Sequence, residues 1–224
     1  MSCRRFMLVL SLLVPFLIGM GDSPQPLVKR GGDGGGAETV SIQLGNGVVG
    51  VWDIRTGTLL KGLIRTHQSD VSLELEVDPP SWFMRQGEND QKIVSYSWRG
   101  YRIEDGNVVL MHELRSPTGE VRNIQERPES TVGINGLLAI RSTFDCIDGG
   151  DGSSRVIKRI RTGTPGGVTM PIATNGHLVP LGLNDNFLAD VVFRTSGSTQ
   201  VTISFNGHWI EKSSKVASGS EASK

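Results

Sequence analysis

The sequence predicts an all-β protein, either an antiparallel sandwich or a strongly curved sheet of about a dozen short strands. Short runs of β-branched and aromatic residues recur along the chain, with turn residues between them. The 224 residues include 29 glycines and 10 prolines, a composition that favours many turns over long helices. Beyond the N-terminal region, no window of eleven or more residues has a convincing helical period. These three observations together indicate strands joined by tight turns.

The strands are predicted from alternating or β-branched segments that end at turn residues. Gly45-Asn46-Gly47 separates the first two segments and predicts a hairpin. Ser196-Gly197-Ser198 separates two later segments and predicts a second hairpin. The predicted strands are 39–44, 48–54, 58–64, 71–77, 92–98, 101–103, 108–114, 120–126, 137–144, 155–160, 191–194 and 201–205, with a further turn into 208–210.

The N-terminal segment has the layout of a secretory signal peptide. Arg4 and Arg5 give a positive start, residues 7–20 are mostly apolar, and glycines stand at −3 and −1 of a cut after residue 21. The apolar run is short for a membrane span, so a retained anchor is the less favoured alternative. We therefore expect a secreted or periplasmic protein, with residues 1–21 as signal peptide and no membrane insertion after its cleavage.

The remaining chain is expected to hold one folded domain between two flexible ends. A segment rich in glycine and proline at 22–37 predicts a linker, and the polar segment 211–224 predicts a disordered tail. Residues 38–210 lie between them and are predicted to form a single β-sandwich-like domain. Without the signal peptide, the chain contains 21 basic and 23 acidic residues. This balance gives no electrostatic basis for binding nucleic acid.

The cysteine content excludes an internal disulfide in the mature chain. Cys3 leaves with the signal peptide, so Cys146 stands alone and is expected to be a buried thiol, the alternative being an exposed reactive one. No C-x-x-C-H haem motif occurs.

Two local patterns resemble ligand sites, but each has a simpler explanation. Gly45-x-Gly47-x-x-Gly50 matches the dinucleotide fingerprint as a string, but a β-type run follows it where a helix is required. A hairpin turn explains the glycines, and no cofactor is predicted. Asp145, Asp148 and Asp151 form a weak calcium candidate in a glycine-rich stretch, although the spacing of a calcium-binding helix–loop–helix is absent. A solvated loop is the favoured interpretation, and no metal site is predicted.

Aromatic residues near charged ones are the best candidates for a carbohydrate platform. Sugars stack on exposed aromatic rings while charged groups bind the hydroxyls, although aromatic residues of all-β proteins usually lie in the core. The alternation of strand side chains places Tyr96 and Trp98 on one face, and His112 and Glu113 on opposite faces. The candidate ligand-binding residues are Trp52, Trp98, Tyr101, Arg99, His112 and Glu113. No catalytic residue is assigned.

Residues 98–106 (WRGYRIEDG) and 109–114 (VLMHEL) resemble a β-rich module of large exported proteins of planctomycetes and verrucomicrobia. The segments IQERP at 124–128, LAIRSTF at 138–144 and GVWDIRTGTL at 50–59 extend the resemblance over roughly residues 40–145. In those proteins the module often accompanies cytochrome c or sugar-dehydrogenase-like domains, and no motif of either occurs in this sequence. The resemblance implies a β-rich exported module and no particular catalytic residues.

The favoured hypothesis is an exported non-enzymatic protein that binds a glycan or an envelope protein. The first alternative is a sugar-active enzyme on a mutarotase- or lyase-like sandwich. Such an enzyme needs an acid and a base on one concave face, for instance His112 or His177 with Glu113 or Glu126. The second alternative is a structural envelope subunit held by edge-strand pairing.

Overall fold

The fold is all-β and antiparallel, which confirms the predicted fold class. The computed structural model describes residues 28–32, 38–65, 70–75, 77, 79–86, 90–133, 136–147, 154–163, 169–181 and 187–205. Within these ranges there are strands and turns but no helix, and hence no helix that could cross a membrane. Every pairing between strands is antiparallel.

Sixteen strands make up the described part of the chain. They are β1 (Val28–Gly32), β2 (Glu38–Gly45), β3 (Val48–Asp53), β4 (Thr58–Arg65), β5 (Asp70–Glu74), β6 (Trp82–Gln86), β7 (Asp90–Ile93), β8 (Ser95–Glu104), β9 (Asn107–Arg115), β10 (Val121–Val132), β11 (Leu138–Cys146), β12 (Ser154–Arg161), β13 (Ile172–Thr174), β14 (His177–Pro180), β15 (Leu188–Val192) and β16 (Thr199–Ser204).

The strands form three sheets that pack together as in a sandwich. The first sheet has the order β1-β2-β3-β4-β5, a simple succession of neighbours along the chain. The second sheet has six strands in the order β13-β16-β11-β10-β9-β8. The third sheet has the order β14-β15-β12-β6-β7. The first sheet is thus local in sequence, whereas the other two combine distant segments.

Two tight hairpin turns are formed by residues with positive φ angles. Asn46 and Gly47 have φ angles of 51° and 73° between β2 and β3, which confirms the predicted hairpin. Asp105 and Gly106 have φ angles of 49° and 76° between β8 and β9. Positive φ at both central positions matches the twist of the flanking strands, and Asn, Asp and Gly adopt it most readily.

A bulge joins residues 95–98 of the segment predicted at 92–98 to the segment predicted at 101–103, whereas residues 92 and 93 end β7 in the third sheet. The pairing of β8 with β9 shifts register between Trp98 and Gly100, so Arg99 has no direct opposite on β9. Gly100 has a φ of 103°, which an L side chain rarely adopts. The strand therefore continues to Glu104 instead of ending at residue 98.

The main core lies where the inner faces of the three sheets meet. One cluster of buried side chains joins Trp52 of β3, Leu110 of β9 and Ile140 of β11 with Trp82 of β6 and Val156 of β12. A smaller cluster of Phe83, Ile157 and Val192 covers part of the opposite face of the third sheet. The third sheet therefore carries apolar side chains on its inner face and on part of its opposite face.

Three further sequence-based predictions differ from the structure. The linker predicted for 22–37 is wrong at 28–32, because Val28–Gly32 pairs along its length with β2 and forms an edge strand. The hairpin predicted around residues 196–198 is wrong, because β15 pairs with β12 and β14 while β16 pairs with β11 and β13. Cys146 is exposed and not buried, since it lies at the end of β11. The predicted signal peptide and the tail 211–224 lie outside the described residues.

Candidate functional site

Six side chains form a cluster that we call the polar junction, and the buried carboxylate of Glu126 lies at its centre. The six residues are Trp52, Tyr96, His112, Glu126, Ser142 and Lys158. Glu126 lies on β10 and accepts three hydrogen bonds. Trp52 Nε1 donates to its Oε1 over 3.2 Å, and Ser142 Oγ donates to the same oxygen over 2.6 Å. His112 Nε2 lies 3.2 Å from Oε2. The carboxylate is therefore bound from the first sheet and from both neighbours of β10 in the second sheet.

Tyr96 fixes the tautomer of His112. The Tyr96 hydroxyl lies 2.8 Å from His112 Nδ1. Burial, with the nearby charges of Glu126 and Asp53, raises the pKa of Tyr96. The hydroxyl therefore stays protonated and donates a hydrogen bond to Nδ1. Nε2 then carries the imidazole proton and donates to Glu126. The result is a directed chain of hydrogen bonds from Tyr96 through His112 to Glu126.

Burial and charge set the protonation of this chain. Burial lowers the pKa of His112 below its usual range, against the opposing effect of the bond to Glu126, and keeps the imidazole neutral. Burial alone would raise the pKa of Glu126, but the His112 hydrogen bond and the charge of Lys158 outweigh it and lower this pKa overall. Glu126 is thus an anion in the interior and needs a compensating cation.

Lys158 of β12 supplies that cation from the third sheet. Its Nζ donates to the Gly57 carbonyl over 2.8 Å and lies 3.8 Å from the centroid of the Trp82 ring. Burial lowers the pKa of Lys158 to about 8, and the charge of Glu126 opposes this shift. Trp82 Nε1 donates to the Thr56 carbonyl over 3.0 Å, so the β3–β4 turn is bound twice by the third sheet.

The polar junction has little room for a substrate. The side chains of His112 and Glu126 are 0% and 2% exposed. The adjacent cavity, lined by Glu126, Ser142 and Lys158 among aliphatic side chains, measures about 30 Å³. That volume suits about one water molecule. The acid–base groups of the junction are therefore enclosed by the three sheets.

The six candidate ligand-binding residues do not converge on one surface. Trp52 is fully buried, and Trp98 is half-buried with its ring against His112. Neither residue offers a fully open ring face to a sugar. Tyr101 is 40% exposed near the end of the β8–β9 hairpin, and its ring is the most accessible of the three. His112 belongs to the polar junction.

Arg99 and Glu113 form an ion pair across β8 and β9. Arg99 Nε donates to Glu113 Oε2 over 3.0 Å, and Arg115 donates to the other oxygen over 3.3 Å. Hydrogen bonds from the two arginines hold the pKa of Glu113 below its usual range. Tyr101 is paired with buried Leu110, whereas Glu113 follows buried His112, so Tyr101 and Glu113 lie on opposite faces of the sheet.

The calcium candidate is only partly within the described residues. Asp145 is paired with Arg127 and accepts a hydrogen bond from Ser198. Asp148 and Asp151 lie outside the described residues. No group of three ligating side chains that could hold a metal ion occurs in the described ranges.

An open cleft that the sequence did not reveal lies at one end of the third sheet. Its volume is about 350 Å³. We call it the arginine cleft; its lining residues are Arg155, Asn175, Gly176, His177, Val192, Phe193, Arg194, Thr195 and Ser196. The turn between β13 and β14 forms one wall, and the segment after β15 forms another. The only available signal was the concentration of polar residues at the ends of two predicted strands.

Backbone bonds and side-chain bonds hold the cleft walls in place. Asn175 Nδ2 donates to the Ser198 carbonyl over 3.2 Å, and Asn175 Oδ1 accepts from Gln200 N over 2.7 Å. Thr199 Oγ1 accepts from Arg194 N over 2.9 Å. The side chains of Arg155, Arg194 and His177 are exposed. The arrangement is a fixed polar recess that presents cationic donors and hydroxyl groups to solvent.

Comparison with known proteins gives no relative for this chain. No family model, no curated protein and no solved structure matches it. The resemblance to exported β-rich modules stays a prediction from the residues that carry it.

Proposed function

We propose that this chain is an exported, non-catalytic protein that binds a glycan at the cell envelope. The arginine cleft is the observation that carries the proposal. It is concave and open, and its volume of about 350 Å³ lies in the range of small-molecule binding sites. Its donors and acceptors are side chains suited to sugar hydroxyls and acidic substituents.

The chemistry of the cleft favours a glycan over a protein partner. Thr195 and Ser196 present exposed hydroxyls, and His177 presents an exposed imidazole. A protein interface instead has an apolar, well-packed centre. The large exposed apolar side chains in the described ranges are few, and none of them lines the cleft: Ile93, Tyr101, Ile103, Val132, Ile147 and Phe187.

A sugar-active enzyme is the second candidate, and one observation favours it. His112 and Glu126 lie within hydrogen-bond distance, as a general base and its partner require. However, the enclosure of both side chains means that a substrate reaches them only if the sheets separate at the polar junction. We therefore place ligand binding in the arginine cleft and not at this pair.

A glycan array probed with the secreted chain tests the proposal. We expect binding to a restricted set of glycans, with no release of reducing ends from those that bind. Ser196→Tyr would fill the cleft and should abolish binding, whereas Ser97→Tyr on exposed β8 should not. Binding that survives Ser196→Tyr, or recovery of only a protein partner by crosslinking, would contradict the proposal. Turnover of the bound glycan would favour the enzyme instead.

The export part of the proposal has its own test. Mass spectrometry of the protein recovered from the cell envelope or medium should give an N-terminus at Asp22, after removal of residues 1–21. A cytoplasmic protein that retains Met1 would contradict export.

A further inference from the structure

We infer that the arginine cleft recognises the acidic groups, carboxylate or sulfate, of an anionic glycan through Arg194 and Arg155, which share a row with Arg85. This inference rests on the proposed glycan binding and names its ligand class.

Strand register places the three arginines in one row across the third sheet. Arg155 of β12 is directly opposite Arg85 of β6. On the other side of β12, Ile157 pairs with Val192, and Phe193 N donates to the Val156 carbonyl over 2.9 Å. The same antiparallel register therefore brings Arg194 opposite Arg155, and both residues line the cleft. Neighbouring strands lie about 4.8 Å apart, so the row presents closely spaced positive charges.

Like charges directly opposite each other destabilise a sheet, so this row is costly without an anion. No Asp or Glu is among the described residues that line the cleft. Nearby carboxylates have other cations: Asp190 binds Arg159 Nε over 2.8 Å, and Glu120 pairs with Arg122. No ion pair joins Arg85, Arg155 or Arg194 to a carboxylate of the described residues.

Arg85 adds a further positive charge to the row. Its Nε is buried and has no hydrogen-bond partner within the described ranges. A buried donor without an acceptor is unfavourable, and guanidinium groups bind carboxylates and sulfate-like anions through paired N–H groups. A ligand that places an acidic group between Arg155 and Arg194 would relieve the repulsion along the row.

The surroundings of the row fit a sugar better than a nucleic acid. Single-stranded nucleic acids are bound by stacking bases on exposed aromatic rings. Among the described residues that line the cleft, Phe193 is the one with an aromatic carbocycle, and it is buried in the core. The accessible neighbours are the Thr195 and Ser196 hydroxyls and the His177 imidazole, which can bind the hydroxyls of a sugar ring.

Dextran and dextran sulfate provide a direct test, because the two polymers differ only in sulfate groups. We expect calorimetry with the secreted chain to show binding of dextran sulfate, weakened by added salt, and no binding of dextran. The double variant Arg155→Gln/Arg194→Gln should weaken binding by about tenfold or more, since charge-assisted bonds are lost. Arg30→Gln, on exposed β1 of the first sheet, is the matched control for loss of positive charge and should stay within about twofold of the wild type.

The possible results separate this inference from the proposed function. Equal binding of dextran and dextran sulfate, or array signals confined to neutral glycans, would overturn the anionic ligand and leave glycan binding in place. An equal loss of affinity for dextran sulfate in Arg155→Gln/Arg194→Gln and in Arg30→Gln would overturn the assignment of binding to the arginine row. Equally tight binding of duplex DNA and dextran sulfate would overturn recognition of a glycan. Failure to bind any glycan would overturn both proposals.

Discussion

His112 Nε2 lies 3.2 Å from Glu126 Oε2 in the interior, and both side chains are almost completely buried. A buried carboxylate is costly unless its charge and its lone pairs are both compensated. Here Trp52, Ser142 and His112 supply the hydrogen bonds, and Lys158 supplies the opposite charge. The three sheets therefore depend on one another at this point, and the predictions below follow from that dependence.

Glu126→Gln should destabilise the fold strongly. The substitution leaves the buried cation of Lys158 without its counter-charge. It also replaces one carboxylate oxygen with an NH2 group, in a site where the surrounding groups donate hydrogen bonds. Breaking one partner of a buried pair costs about 3–5 kcal/mol, which urea unfolding would measure. Glu129→Gln is the control, because Glu129 is 46% exposed and pairs with Arg141 on the surface. Its cost should stay below about 1 kcal/mol. Equal losses in the two variants would contradict a compensated buried charge.

Stability should fall as the pH drops below the ordinary pKa of histidine, about 6.5. The pKa of His112 is lower in the folded protein than this value, so the unfolded chain takes up the proton first. Stability is lost as pH falls toward the folded pKa. The lowered pKa of Glu126 acts in the same direction, but only below about 4.5.

Thermal melts between about pH 7 and 5 would report mainly on His112, since Glu126 titrates below that window and Lys158, with a pKa of about 8, titrates above it. The midpoint of the wild type should fall, and His112→Gln should flatten the slope even if its midpoint is lower throughout. Ser97→Ala, a change at an exposed residue that has no titratable group, should keep the wild-type slope. A slope unchanged by His112→Gln would show that another group controls acid stability.

Lys158→Met and Glu126→Gln should be strongly non-additive. Each single change leaves one buried charge alone, whereas the double variant removes both charges. Interaction energies between contacting or electrostatically coupled residues are about 0.5–3 kcal/mol, and we expect the double variant to be more stable than the sum of the singles by an amount in this range. A double-mutant cycle in urea measures the difference. Additivity would mean that the Gly57 carbonyl and Trp82, not Glu126, account for the contribution of Lys158 to stability.

Local patterns were enough to predict the fold class but not the assembly of the sheets. The alternation of side chains and the Gly45-Asn46-Gly47 turn depend on neighbouring residues, so the first hairpin followed from them. Residues 191–194 and 201–205 have equally good local patterns, but tertiary pairing sends them to different sheets. Gly31 and Gly32 gave no strand signal, because edge pairing with β2 orders a segment of low strand propensity.

The candidate site depended even more on tertiary contacts. His112 was selected from the sequence, and Glu126 was considered only as a possible acid–base partner. Their contact follows from the pairing of β9 with β10, in which His112 lies opposite Ile124, two residues before Glu126. Lys158 and the arginine row come from β12, whose neighbours in the third sheet are distant along the chain. No local spacing could show which arginines share a row.

Gly50→Ala should be destabilising because of the Trp52 ring. A Cβ at Gly50 would lie 2.4 Å from two carbon atoms of this buried indole, which is bound to Glu126 and cannot readily move. Overpacking of this kind costs about 1–3 kcal/mol. Gly31→Ala is the matched control, since its Cβ would be at an ordinary 3.7 Å from Thr39 Oγ1. Similar unfolding free energies for the two variants would contradict a rigid Trp52.

Cys146 should react with a thiol reagent in the native protein, because its side chain is exposed. Intact-mass analysis after N-ethylmaleimide treatment should show one adduct in the exported chain and none in Cys146→Ser. A second adduct in the wild type would reveal Cys3 and hence an uncleaved N-terminus. Labelling that needs denaturant would contradict the exposure of Cys146.

The bond between Lys158 and Gly57 also has a consequence for the order of events in folding. It joins residues 101 positions apart, and the Trp52–Glu126 bond joins residues 74 apart. Contacts of such large sequence separation are slow to form. The first sheet can pair from neighbouring segments alone. However, Trp52 reaches its hydrogen-bond partner only when β10 has packed, and the β3–β4 turn reaches Lys158 only when β12 has packed. Stopped-flow refolding should therefore show Trp52 and Trp82 reaching their native fluorescence late, after most backbone pairing within residues 38–74 is complete.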